Sequence, residues 1–217
     1  MSGAAQQSMG LRDTSWNGSR NLLAMEPARQ PLIVGIGGST RATSLTDELL
    51  RASLAATEAR GARTVAFGGR FLAELPIYAA DEDPAGRAGG SLFQADELAR
   101  AVAAADGVII ATPGYHGGMS GLVKNGLDHL EALRDDARPY LSGRAVGTIV
   151  TAAGWQACGT TLVSLRSTVH ALRGWPTPYG ATINTAEPVF DEGGDPLEPI
   201  AAALQLVADQ VVDFATR

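Results

Sequence analysis

Residues 38–46 read Gly-Ser-Thr-Arg-Ala-Thr-Ser-Leu-Thr, and residues 112–128 read Thr-Pro-Gly-Tyr-His-Gly-Gly-Met-Ser-Gly-Leu-Val-Lys-Asn-Gly-Leu-Asp. Gly37, just before the first run, and Gly38 let the backbone fold tightly and expose its N–H groups. Ser39, Thr40, Thr43, Ser44 and Thr46 add hydroxyls, and Arg41 adds one planar cation. A turn of this kind, opening a helix whose positive end faces the same space, cradles a phosphoryl group. Gly, Ser and Thr also serve as plain turn and cap residues, but a lone arginine among these hydroxyls exceeds what a turn requires. The second run offers a ring, Tyr115, behind Pro113 and Gly114 and framed by Gly117 and Gly118. Taken alone, Tyr115 reads equally as a packing residue at a strand end. A third turn, 151–154, has the same architectural character.

Elimination narrows the phosphate. A P-loop needs Gly-x4-Gly-Lys-Ser/Thr, and no lysine stands near 38–46. The dinucleotide fingerprint needs a glycine where Thr40 stands and an acid closing the second strand, which ends in Phe67. A terminal monophosphate fits better, such as that of FMN, with the rest of the mononucleotide crossing toward the Pro113–Tyr115 turn. Isoalloxazine is flat and largely apolar with polar edge atoms, so a rigid backbone turn and one aromatic neighbour suit it.

The elements that must position these turns follow from periodicity. Residues 31–37 form a short apolar run ending in glycines, which predicts a strand buried on both faces. Leu45, Leu49 and Leu54 recur at helical spacing behind Ser44 and Asp47, which resemble a capping box, and the helix closes at Gly61. A second strand is expected over 63–67, followed by an irregular excursion over 68–90 at the site end of the sheet, longer than a plain connection needs. Helices are then expected over 91–105, 120–133, 160–173 and 196–214, and strands over 106–111, 144–151 and 178–184. Strict alternation with right-handed crossovers predicts an α/β fold: a doubly wound, five-stranded parallel sheet in the order 2-1-3-4-5, with helices on both faces. The crevice of such a sheet lies beyond the carboxyl ends of strands 1 and 3, where the first two turns sit.

Composition bounds the partners. The chain has 217 residues, 45% hydrophobic and 18% charged, with a net charge of −6. That suits one domain over 31–217, preceded by an arm over 1–30 that is mobile or contacts another subunit. No Lys/Arg cluster appears, which argues against nucleic acid and anionic membrane and for a small-molecule substrate. No apolar run approaches the ~20 residues of a membrane span, and the single cysteine, Cys158, cannot form an internal disulfide. A cytoplasmic location is expected.

The two motifs together, 38–46 and 112–128, resemble the NAD(P)H-dependent FMN reductase family of flavodoxin-like proteins over about residues 31–185. The resemblance implies FMN as cofactor, NADPH or NADH as co-substrate, and a homodimer or homotetramer. It implies that Ser39, Arg41, Ser44, Leu45 and Thr46 hold the phosphate. Pro113, Gly114, Tyr115 and His116, with Gly117 beside them, would hold the ring system and ribityl chain, and the backbone from Ala152 to Gly154 would flank the other edge. The implied activity is hydride transfer from NAD(P)H to the flavin and on to free flavin, a quinone or an azo compound. A flavodoxin-type electron carrier without nicotinamide activity, or a flavin-binding regulatory module, are the alternatives.

Single residues divide between chemistry and packing. Many relatives carry Asn after the tyrosine and then Gly-Ser; His116-Gly117-Gly118 stands here instead, so that edge loses a hydroxyl and gains a titratable ring. His116 is a conceivable proton donor, but hydride transfer needs no protein acid, so no catalytic side chain is assigned. His129 and His170 read as surface or packing residues, and Trp155 as a cover for the ring, a cap on the substrate pocket or a subunit contact. Cys158 lies just before an expected helix, where a thiol's pKa falls, yet it has no partner histidine or resolving cysteine. Lys124 and Asp128 stand at i, i+4, as a surface ion pair or, by the resemblance, at a dimer interface. No metal-ligand spacing occurs, and Asp191-Glu-Gly-Gly-Asp195 reads as a solvated turn.

Overall fold

The buried runs over 32–37, 107–113 and 145–152 cannot leave a face wet and must lie in a covered parallel sheet. The computed structural model describes residues 29–41, 43–80 and 92–217. Residues 1–28 of the expected N-terminal arm lie outside the described residues, as do 81–90 of the 68–90 excursion. The elements in chain order are β1 (Leu32–Gly37), α1 (Leu45–Ala59), β2 (Arg63–Phe67), α2 (Gly69–Ala73), α3 (Leu92–Ala104), β3 (Gly107–Tyr115), β4 (Gly118–Met119) and α4 (Gly121–Asp128). A 3-10 turn, His129–Leu133, extends α4, and β5 (Ala145–Ala152), α5 (Trp155–Ala171), β6 (Trp175–Pro176), β7 (Ala181–Asn184) and α6 (Glu198–Ala215) follow.

The sheet runs β2-β1-β3-β5-β6, with β7 also parallel to β5. The doubly wound order expected from the sequence is borne out, with two additions. The last strand arrives in two pieces, because Pro176 and Pro178 cannot donate to a ladder; Ala181–Asn184 pairs with β5 where a strand over 178–184 was expected. The second addition is β4, a two-residue strand antiparallel to the tip of β3. Inside the 68–90 excursion the short helix α2 forms directly after β2. The helix expected over 160–173 starts at Trp155 instead: Gly154, at φ 123°, makes the turn, and Gly159 is carried inside α5.

Alternate residues of each strand feed two cores. Val34, Ile36, Val108, Ile110, Val146 and Val150 pack with α3, α4 and α5. On the other face, Ile33, Ile109 and Ile149 meet Leu49, Leu50 and Leu54 of α1 and Leu204, Val207 and Val211 of α6. Here α6 lies so close that a Cβ on Gly107 or Gly147 would stand 2.6 Å from a Val211 or Val207 methyl. No helix among the described residues is long and apolar enough to cross a membrane.

At the amino end of the sheet, Arg144 is fully buried and makes no ion pair among the described residues. Its Nε donates to the Ala105 carbonyl (3.1 Å) and its Nη2 to that of Ala103 (2.7 Å), and Nη1 donates to Tyr140 (3.1 Å) and Ser142 (3.2 Å). The guanidinium thereby caps the last carbonyls of α3, which has no basic residue in its own last turn. Desolvation, with the neighbouring Arg138 charge second, pulls its pKa down to about 10, so it stays protonated at neutral pH. Arg144→Ala strands several buried carbonyls and is expected to cost about 2–4 kcal/mol of stability, read as a lower denaturant midpoint with an unchanged m-value.

Candidate functional site

The tip of β1 is forced against β3. Gly37 and Gly38 take φ of 149° and 113°, and a Cβ on Gly37 would stand 1.9 Å from the Ala111 carbonyl oxygen. The Gly38 N–H donates to that same oxygen at 3.1 Å. A Cβ on Gly38 would stand 2.0 Å from Oδ1 of Asp47, and that carboxylate organises the turn. Oδ2 accepts from the Ser39 N–H (3.3 Å) and Oδ1 from the Gly69 N–H at the start of α2 (3.0 Å). The capping box expected at Ser44 and Asp47 is therefore half formed. Ser44 Oγ accepts from the Asp47 N–H (3.2 Å), while the Asp47 side chain reaches to its neighbours' backbone rather than back to Ser44.

The hydroxyls of the turn form a relay. Ser39 Oγ donates to Ser44 Oγ (3.0 Å) and accepts from the Arg41 N–H (3.4 Å). Thr46 Oγ1 and Thr151 Oγ1, both buried, lie 2.7 Å apart and tie α1 to the end of β5. Each hydroxyl carries one hydrogen and the pair spends one, so one donor is left for a third group. The Arg41 guanidinium has no carboxylate partner among the described residues.

These groups border a cleft of about 580 Å³ that opens above the carboxyl ends of β1, β3 and β5. It brings together Ser39, Arg41, Leu45 and Thr46 of the first turn, Pro113, Gly114 and Tyr115 of the second, and Ala152 of the third. Ser44 lies behind this wall as the cap of α1. Gly154 does not line the cleft: its N–H is held by the Asn184 Oδ1 at 2.9 Å. His116 and Gly117 lie beyond the rim, between β3 and β4. Thr151, Ala153, Thr185 and Glu48 also line the cleft. Position alone could have flagged Thr185, which follows β7 as Ala153 follows β5. Asp47 carried the signal of an acid in the first helical turn, but its second contact, Gly69, lies across a crossover.

A family model described as NADPH-dependent FMN reductase matches residues 31–187. The chain belongs to the NADPH-dependent FMN reductase family. Among curated relatives of this FMN reductase family, it is 27% identical over 184 residues to the FMN reductase (NADPH) of Pseudomonas putida, covering 84% of this chain and 86% of that protein. It is 42% identical over 59 residues to the NADPH azoreductase of Bacillus sp. (strain OY1-2), which covers 27% of this chain and 30% of that one. Among solved structures, FerB, a flavoenzyme NAD(P)H:(acceptor) oxidoreductase from Paracoccus denitrificans, superposes with a TM-score of 0.64 at 21% identity, over 85% of this chain and 97% of that one. The resemblance seen in the two motifs is borne out, and with it the flavodoxin-like fold.

His116 and Gly117 take φ of 52° and 86° between paired Tyr115 and Gly118, the geometry of a two-residue hairpin turn with both central residues left-handed. Asn-Gly is the favoured pair for such a turn, and histidine is one of the few other side chains that tolerate it. Cys158 lies inside the first turn of α5, fully buried, where burial pushes the thiol's pKa up against the helix-end effect. It is packed rather than poised for redox work. Trp155, 60% exposed, stands outside the cleft beside Asn184 and Glu187. His129 is buried and meets the Pro76 carbonyl at 2.9 Å, His170 is exposed, and Lys124 and Asp128 form the i, i+4 ion pair at 2.6 Å. Among the described residues no His/Cys/Asp/Glu group could hold a metal.

Two substitutions test this geometry. Asp47→Ala removes the acceptor from two backbone donors and is expected to lower unfolding free energy by about 2 kcal/mol, with Asp47→Asn losing less. His116→Asn is expected to raise it by about 0.5–1 kcal/mol, because asparagine adopts the left-handed conformation more readily. Chemical denaturation of purified variants reads both.

Proposed function

We propose that the protein is an NADPH-dependent flavin oxidoreductase that holds FMN in the 580 Å³ cleft and passes electrons to a small acceptor such as free flavin, a quinone or an azo compound. The observation that carries this is the polarity of the cleft: an unpaired guanidinium and hydroxyls at one end, and a half-exposed tyrosine ring behind a proline-glycine turn at the other. Those two ends fit a mononucleotide with a terminal phosphate and a flat ring, and the glycine turn leaves no Cβ in the cradle. When bound, FMN supplies the hydride-accepting chemistry that no side chain here possesses.

The chain's residues bind and orient. Arg41 and the surplus hydrogen of the Thr46–Thr151 pair meet the phosphate, with the backbone of the Ser39 turn held open by Asp47. Pro113, Gly114 and Tyr115 border the ring on one side, and Ala152 and Ala153 on the other. Tyr115 is 43% exposed and Trp155 stands aside, which leaves room for a nicotinamide ring and then an acceptor to take the same place in turn. Stacking and alignment are the protein's contribution. His116, outside the cleft, is a hinge of the hairpin rather than an acid. Exposed Trp155 and Val163 on the outer side of α5 give a second copy an apolar surface to cover, which supports a homodimer or homotetramer.

Arg41→Ala is expected to weaken FMN binding by about one to two orders of magnitude, since a hydrogen bond to a charged group contributes about 1.5–3 kcal/mol. Fluorescence titration of free FMN checks it, and an unchanged dissociation constant overturns the placement. Purified protein is expected to oxidise NADPH with free FMN, a quinone or an azo dye. Absence of turnover with all of them leaves an electron carrier.

A further inference from the structure

A second cleft, about 730 Å³, lies on the other side of the first turn, between α1 and the β2–α2 connection. The FMN assignment does not use it. Arg41 borders it from the turn, Arg51 from α1 and Arg70 from α2. All are exposed, and none has a carboxylate partner among the described residues. Two acids also line it, Asp47 and Glu48, but the Asp47 carboxylate is engaged by two backbone N–H groups. Unpaired arginines converging on one concavity are the recognition chemistry of a phosphate monoester, whose oxygens accept the guanidinium fork. Phe71, half-buried and edge-on to Phe67 at 4.7 Å, lines the same cleft and offers a ring to a flat base. The two clefts share Ser39, Arg41 and Glu48, so a ligand longer than one nucleotide can run from one into the other across that shared wall.

We infer that this second cleft takes the 2′-phosphorylated adenosine end of NADPH, with Arg51 and Arg70 as the residues that favour NADPH over NADH. The inference rests on the FMN assignment of the neighbouring cleft: with the nicotinamide at the Tyr115 end, a dinucleotide outruns the mononucleotide beside it, and its adenosine half passes the phosphate turn. NADH carries a hydroxyl where NADPH carries the phosphate, so it gains nothing from the two arginines.

The test uses FMN-loaded protein and avoids Arg41, which serves both clefts. In calorimetric titration, 2′-phosphoadenosine 5′-diphosphate is expected to bind at least tenfold more tightly than ADP, and inorganic phosphate far more weakly than either. In Arg51→Ala/Arg70→Ala that difference is expected to vanish, and the NADPH-over-NADH ratio of kcat/KM to fall about a hundredfold, roughly tenfold per arginine. FMN affinity is expected to stay as it was. Equal binding of the two adenosine probes by the unaltered protein, or an unchanged ratio in the double variant, overturns the inference. Both side chains are exposed, so folding is expected to survive; Arg70→Ala alone, read by the same titration, covers the case in which it does not. A protein that binds FMN yet shows neither difference keeps its flavin site and loses this one.

Discussion

The central strands of a parallel sheet covered on both faces have no wet surface, and that constraint governs where this molecule can act. Val34, Val108 and Val146 on one face and Ile33, Ile109 and Ile149 on the other are wholly buried. The glycines Gly35, Gly107 and Gly147 let α1 and α6 close on the second face without a gap. Chemistry is pushed to the strand ends, where backbone groups lose their ladder partners and polar side chains find space. Both clefts lie there, and the buried Arg144 at the opposite end is spent on capping a helix.

At those ends the turns need support that the sheet does not supply. Asp47 provides much of it, because one carboxylate accepts from the turn after β1 and from the turn after β2. Its negative charge, placed behind the glycine turn, is met by two amide dipoles. The Thr46–Thr151 contact does the corresponding service between α1 and β5. Three loops far apart in sequence are thus held as one rim by a few polar contacts, each partly or fully buried.

Much of this was legible in the sequence, and the parts that were not share a cause. The strands over 32–37 and 107–111 announced themselves because burial on both faces demands continuous apolar runs, and the hydroxyl-rich turn stood out because its one arginine is surplus to folding. The start of α5 at Trp155 was hidden by Gly159, a residue that local propensity treats as a breaker and packing tolerates. The β3–β4 hairpin was hidden because His116 occupies the place where an asparagine would have advertised a two-residue turn. Gly154 gives its N–H to Asn184, a contact 30 residues along the chain that no local pattern encodes. Asp47's reach to Gly69 is of the same kind. Short-range rules recover elements and turns; the pairings that lock one turn to another depend on which strands become neighbours.

The hydroxyl pair on the cleft floor has one more property. Either oxygen of Thr46 and Thr151 can be the donor, so the pair can rotate as a unit to turn its free hydrogen outward or to present a lone pair instead. That contact can thus change between donor and acceptor toward the cleft without movement of the backbone.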